Sequence, residues 1–356
     1  CAMDDRGTAE PARDERRFDR GAGLTLAVAV VLLLWPLALS LLFTTYPTDG
    51  WASSTEVGFF DGPFTLRYSL TGEPSPLQPG DMVTAIDARP LAVGQLPPLH
   101  QPMFAGETAR YTVQRGDRTI DVDITLVKTE VAAYAAIWLD DPVATLAKLA
   151  MLVIAAVVFF LRPAHPAARY MLVAFAFLIG SAFLELMANP YVYAMPPWAL
   201  FLAQFYQTGA SWAYMASLIL LVLVFPVRLR PLRRFPRALP ALLYGLPFVT
   251  TLFAIPHYPA VSQNDLQLLL GGLTFFAYFT LNVVVIFGAV IRNLVKVKEP
   301  VARAQVRWVA LGFGLGLGLE AVLTLFGFLR ADFGAVEQTR TITSLTALAL
   351  PLALAV

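Results

Sequence analysis

Chemistry in a chain this apolar falls to the few side chains that carry charge or a proton inside its long hydrophobic runs. Lys148, Glu185 and Glu320 lie in such runs, and a charge in hydrocarbon is costly unless it is paired or wet. Lys148 and Glu185 fall at matching depths in adjacent runs. That suits either a structural ion pair with snorkelling to the interface or a pair coupled to a proton or ligand. Glu320 sits nearer the middle of its run without an obvious partner and is the candidate buried functional carboxylate. A second cluster is uncharged: Tyr191, Tyr193, Trp198, Gln204, Tyr206, Gln207 and Trp212. Rings and amides of this kind suit a pocket for a lipid-like or peptide signal, and an interfacial aromatic belt has the same composition.

Enzymatic signatures are missing. A metal-dependent membrane protease needs His-Glu-x-x-His on a helix, and the sequence has none. Its three histidines, His100, His165 and His257, fall in separate connecting segments. An intramembrane serine site needs a histidine partner, so Ser211 within Gly209-Ala210-Ser211 stands without one in any apolar run. His165, between Pro163 and Pro166, is not presented from a regular helix as a phosphoacceptor would be. The single cysteine, Cys1, excludes an intramolecular disulfide and a thiolate metal site. No catalytic residue, metal site or cofactor is therefore expected within residues 1–356. The net charge of +1 gives no reason to expect nucleic acid as a partner.

These residues are positioned by apolar runs. With 57% hydrophobic and 14% charged residues, and the apolar ones in blocks, the composition predicts an α-helical polytopic membrane protein of about eight spans with a small extracytoplasmic β-rich domain. The spans read as 23–43, 142–161, 170–188, 202–225, 238–255, 267–291, 308–329 and 341–356. Lys and Arg concentrate in the N-terminal tail, around Arg162 and Arg169, over Arg228 to Arg237, and over Arg292 to Arg307. Because translocating positive charge is disfavoured, the tail 1–22 and these loops are placed in the cytoplasm and residues 44–141 outside. The expected localisation is the cell membrane, multi-pass, with membrane lipid as a partner. Residues 142–356 then hold seven further spans. The last is read as cut at Val356, with an output domain beyond it, and the opening Cys1 as the mark of a fragment or trimmed product. Gly312, Gly314, Gly316 and Gly318 form two interleaved Gly-x-x-x-Gly pairs that permit close approach of another helix.

Between the first two runs the pattern changes to short alternating segments. Ile120, Val122, Ile124 and Leu126 alternate with polar residues as on a half-buried strand. Arg115-Gly116-Asp117-Arg118 joins this strand to Ala109–Gln114 as a hairpin. Upstream, the turn Leu77-Gln78-Pro79-Gly80-Asp81 leads into Met82–Ile86 and a second turn, Asp87-Ala88-Arg89-Pro90. This order of pieces resembles a bacterial PDZ domain over about residues 64–128, with its turn carried by Leu77, Pro79, Gly80 and Asp81. The resemblance implies a helix near 93–101, and strand addition of an extracellular peptide or protein ligand beside a loop near Phe59–Phe64. A β-rich spacer or dimer contact is the other reading of the same segment.

The plan as a whole is similar to the input region of bacterial sensor histidine kinases of the competence-pheromone type. Arg303-Ala304-Gln305-Val306-Arg307-Trp308 is similar to that family's basic-Gln-aromatic entry to a span, and Leu348-Ala349-Leu350-Pro351-Leu352 resembles its last, proline-bearing span. The resemblance implies a signal-sensing input module of a two-component system, working as a homodimer, that relays an extracellular peptide, lipid or envelope stimulus to a cytoplasmic kinase. A non-catalytic scaffold or transporter-like protein recruiting partners through the outer domain is the competing reading. The sequence has no internal repeat of the kind transporters show.

Overall fold

The computed structural model describes residues 18–54, 63–72, 74–91, 104–128, 142–185, 197–225, 229–254 and 265–314, with 318 and 322. The first helix, α1 (Arg20–Phe43), starts at Asp19, whose carboxylate accepts from the Ala22 N–H at 2.7 Å, satisfying one of the orphan donors of a helix start. Seven more helices follow among the described residues: α2 (Pro142–Leu161), α3 (Pro166–Glu185), α4 (Pro197–Val224), α5 (Arg230–Arg234), α6 (Ala238–Ala254), α7 (Asp265–Lys296) and α8 (Pro300–Phe313). Proline opens α2, α3, α4 and α8, where its missing N–H removes nothing that the helix could use.

The expectation of an eight-span polytopic membrane protein is corrected by this structure. Among the described residues one helix, Arg20–Leu42, is long and apolar enough to cross a membrane, and Thr145–Leu161, Pro166–Ala182 and Gly209–Val224 are apolar but shorter. The physical reason lies in packing. Helix α3 lies against α1, α2 and α4, and Ala174, Phe175, Ala176 and Phe177 are buried in succession. A helix that is apolar all round is either a membrane span or the centre of a bundle, and composition reads the same in both. Met151 of α2, Met171 and Phe175 of α3, Leu218 and Leu220 of α4, Ile286 of α7 and Phe313 of α8 share one core. A smaller cluster joins Ala22 and Ala29 of α1 to Phe159, Leu172 and Ala176. The run 341–356 and most of 308–329 lie outside the described residues.

The β unit begins three residues after α1. Strands β1 (Pro47–Thr48) and β8 (Val127–Lys128) pair as a two-stranded antiparallel ribbon. The main sheet has the order β2-β3-β4-β6-β7, with β5 (Arg89–Pro90) folded back on β4. Its strands are β2 (Trp51–Ser54), β3 (Phe64–Ser69), β4 (Met82–Ile86), β6 (Thr108–Arg115) and β7 (Arg118–Thr125). The expected hairpin is present, with Arg115 opposite Arg118 and Tyr111 opposite Val122. Alternation places Ala109, Tyr111, Val113, Val122 and Ile124 inward with Trp51, Leu66, Leu77, Val83 and Ile86, the one-sided burial of an antiparallel sheet.

Candidate functional site at the junction of α1 and the β unit

Pro36 lies inside α1. Proline has no N–H, so the carbonyl four residues earlier, that of Leu32, loses its helical donor. The Tyr206 hydroxyl on α4 donates to the Leu32 carbonyl at 2.6 Å and so satisfies a main-chain acceptor that would otherwise be orphaned. Gly180 on α3 makes the crossing feasible. A Cβ there would come within 2.5 Å of both the Leu32 carbonyl oxygen and the Tyr206 hydroxyl, and within 3.2 Å of the Pro36 ring. Leu39, Phe177, Tyr206, Ala210 and Ala213 form a buried cluster around this point, and Tyr46, beyond the end of α1, packs on it.

From there the chain enters the β unit without slack. The Thr44 and Thr45 hydroxyls donate to the carbonyls of Leu41 and Leu42 at 2.7 and 2.6 Å, capping α1, and β1 starts at Pro47. In the ribbon Pro47 faces Lys128 and Thr48 faces Val127, so the chain enters and leaves the unit side by side. Next to it Asp49 is buried, 9% exposed. Its Oδ1 accepts from the Trp51 N–H at 2.9 Å and its Oδ2 from the Tyr111 hydroxyl at 3.2 Å. Burial pushes this carboxyl up to about 6, against the opposing pull of those hydrogen bonds. Asp49 thereby links the ribbon, β2 and β6.

Two further devices fix the unit. Asp81, 1% exposed, takes a bidentate pair from Arg115, Nε to Oδ1 at 2.7 Å and Nη2 to Oδ2 at 2.6 Å, and a third bond from the Gln78 N–H at 2.9 Å. The hydrogen bonds from Arg115 hold the Asp81 carboxyl below the usual carboxylate range. Arg115 also donates to the Pro76 carbonyl at 2.9 Å, so the turn at 77–81 is riveted to the end of β6. At the β4–β5 turn, Asp87 and Ala88 both take positive φ, 51° and 61°. The Asp87 carboxylate accepts from the Arg110 N–H at 2.9 Å.

The residues singled out in the sequence are distributed as follows. Tyr206 is the latch on α1, and Trp212, buried, stacks on Tyr278 of α7 with ring centroids 4.9 Å apart. Tyr191 and Tyr193, and the side chains of Trp198, Gln204 and Gln207, lie outside the described residues, so the signal pocket is described only at these two positions. Lys148 is half-buried on α2; the Glu185 side chain and Glu320 lie outside the described residues. Leu77 is in the β core, Pro79 and Gly80 are exposed, and Asp81 is the buried partner of Arg115. Gly312 is buried on α8, a Cβ at Gly314 would meet nothing within 4 Å, and one at Gly318 would lie 3.4 Å from Phe287; Gly316 lies outside the described residues. Most of Phe59–Phe64 and the segment 93–101 are likewise outside. Sequence reasoning missed Pro36, Gly180 and Asp49; alternation puts Tyr111 and Val113 on one face of their strand, but the Tyr111 bond to Asp49 had no local signal. For Pro36 the signal was legible, since a proline inside an apolar helix frees a carbonyl four residues back. Among the described residues no group of three His, Cys, Asp or Glu side chains is placed to hold a metal ion. Comparison of the chain with protein-family models, with curated proteins and with solved structures returned no match.

Proposed function

We propose that this chain is the signal-input module of a bacterial membrane sensor. In this reading α1 crosses the bilayer with its Asp19 end in the cytoplasm and residues 44–141 lie outside. The outer unit receives an extracellular peptide, lipid or envelope stimulus, and a homodimer passes it to a histidine kinase output. The observation that carries the reading is the taut passage from α1 to the β unit. Only residues 44–46 separate helix from ribbon, a reach of about 10 Å at full extension, and both threonines there are bonded back to α1. A displacement of the ribbon is therefore transmitted to α1 rather than absorbed.

The energy scale fits a switch. A stimulus shifts two helix arrangements by its differential affinity, typically about 1–3 kcal/mol. The Tyr206 latch on the freed Leu32 carbonyl is worth about the same. Strand β2 pairs with β3 on one side, and as an edge strand it is the place where an extended peptide would add to a PDZ-like unit.

Two experiments test this. With Cys1→Ser as background, Arg118→Cys should react with a membrane-impermeant maleimide in intact cells, and Arg20→Cys only after lysis. Labelling of both from the same side would overturn the topology. Inserting three glycines between Thr45 and Tyr46 should uncouple ATP-dependent autophosphorylation of the native protein in membranes from its stimulus. Absence of such autophosphorylation in the native protein would favour a scaffold.

A further inference from the structure

A second feature lies at the opposite end of α1 from the β unit. A cavity of about 130 Å³ opens between the α2–α3 turn, the C-terminal end of α4 and the start of α8. Its lining is graded. Met171 and Leu221 are buried, Phe225, His165 and Gln305 are half-buried, and Arg162 is exposed. Among the described residues no carboxylate lines it, so a cationic ligand would meet the like charge of Arg162 there. The His165 Nδ1 accepts from the Ala167 N–H at 3.3 Å, which fixes the ring against the start of α3. Arg169 is committed: it donates to the Pro163 carbonyl at 2.8 Å and to Asp19 at 2.6 Å.

We infer that this cavity binds a small anionic amphiphile, a phosphate or carboxylate head held by Arg162, His165 and Gln305 with a short apolar chain on Met171, Leu221 and Phe225. The volume limits the chain. An apolar cavity of about 150 Å³ accepts a six-carbon ring, so this slightly smaller one takes a tail of at most about six carbons with the head left at its mouth, and any longer chain must leave through that mouth. Guanidinium and amide donors at the rim over an apolar floor match an amphiphile entering tail first. The Asp19–Arg169 pair places the cavity level with the start of α1. If α1 crosses the membrane as proposed above, that is headgroup depth. Both a bilayer phospholipid and a soluble acyl anion carry the required chemistry.

The test uses the full chain in phosphatidylcholine nanodiscs with hexyl phosphate and inorganic phosphate as probes, and needs no signalling readout. Hexyl phosphate should bind saturably and about tenfold or more tighter than inorganic phosphate. Arg162→Ala and Ala168→Leu, which removes the charge and fills the floor respectively, should each weaken it about tenfold or more. Arg162→Lys should retain part of the affinity, and Gln305→Ala offers a second rim variant should Arg162→Ala fail to fold. In nanodiscs containing phosphatidylglycerol, co-purification of that lipid by native mass spectrometry, lost in the same variants, would identify the bilayer as the source. Hexyl phosphate binding without lipid retention would identify a soluble amphiphile. Equal affinity for the two probes, affinity unmoved by both Arg162→Ala and Ala168→Leu, or no saturable binding would each overturn the assignment. The maleimide result for α1 is independent of all of these.

Discussion

Tyr206→Phe tests whether the α1–α4 contact is made by a carbonyl that proline sets free. The substitution keeps the ring and removes the donor lying 2.6 Å from the Leu32 carbonyl. Because Pro36 offers that carbonyl nothing, the acceptor is left unmet in a buried cluster, at a cost of about 1–3 kcal/mol. In a Pro36→Ala background the restored N–H at position 36 takes the carbonyl back into the helix. There the same tyrosine change should cost about 0.5 kcal/mol or less, giving a coupling energy of about 0.5–3 kcal/mol. The assay is denaturant unfolding of the purified full chain in micelles, followed by helical circular dichroism, for the parent, both single variants and the double variant. An equal penalty for Tyr206→Phe in the two backgrounds would refute the reasoning, because the hydroxyl would then be acting through packing alone.

Four further outcomes follow from the same geometry. Gly180→Ala should cost about 1–3 kcal/mol in the same assay, since its Cβ would lie 2.5 Å from two oxygen atoms. At Asp49 the folded carboxyl stands at about 6 against 3.8, so folding takes up a proton there. That contribution is complete below pH 3.8 and is lost as pH rises through 6, by about 3 kcal/mol in all. Asp49→Asn, which can accept from Trp51 and donate to Tyr111, should flatten the change in urea midpoint between pH 5 and 7, read by tryptophan fluorescence. Arg115→Ala strands the buried Asp81 carboxylate and should cost about 3 kcal/mol, whereas Arg110→Ala breaks the exposed pair with Asp123 and should cost less than about 1 kcal/mol. Ala88→Gly relieves a positive φ and should raise stability by about 0.5–1 kcal/mol.

The β unit was the more legible half because its signals are local. The alternation from Ile120 to Leu126 and the Gly116-Asp117 turn fix strand, face and register within a few residues, and the sheet has that hairpin. Leu77 and Asp81 were also visible as a turn, but the partner that makes Asp81 important is Arg115, 34 residues away. The helical half was misread in kind. Phe175 and Leu220 are equally apolar whether they face lipid or one another, and here they share a core. Contacts of long range carry no local mark at all: Tyr206 reads as one aromatic in a belt, and its bond to Leu32 spans 174 residues. Asp49 reads as an ordinary turn residue in Thr48-Asp49-Gly50, and only the closing of β6 over it buries it.

The β1–β8 ribbon also has a mechanical meaning. Its strands are tied to the rest of the chain at the same end, Pro47 opposite Lys128. A force that draws α1 and the segment after Lys128 apart therefore peels the pairs in succession instead of shearing them together, and a ribbon of two residue pairs yields first. The β6–β7 ladder, eight pairs long, is reached only after that. Tension across the two passages would thus part the ribbon beside Asp49 while leaving the sheet folded, so the ribbon serves as a fuse between α1 and the sheet.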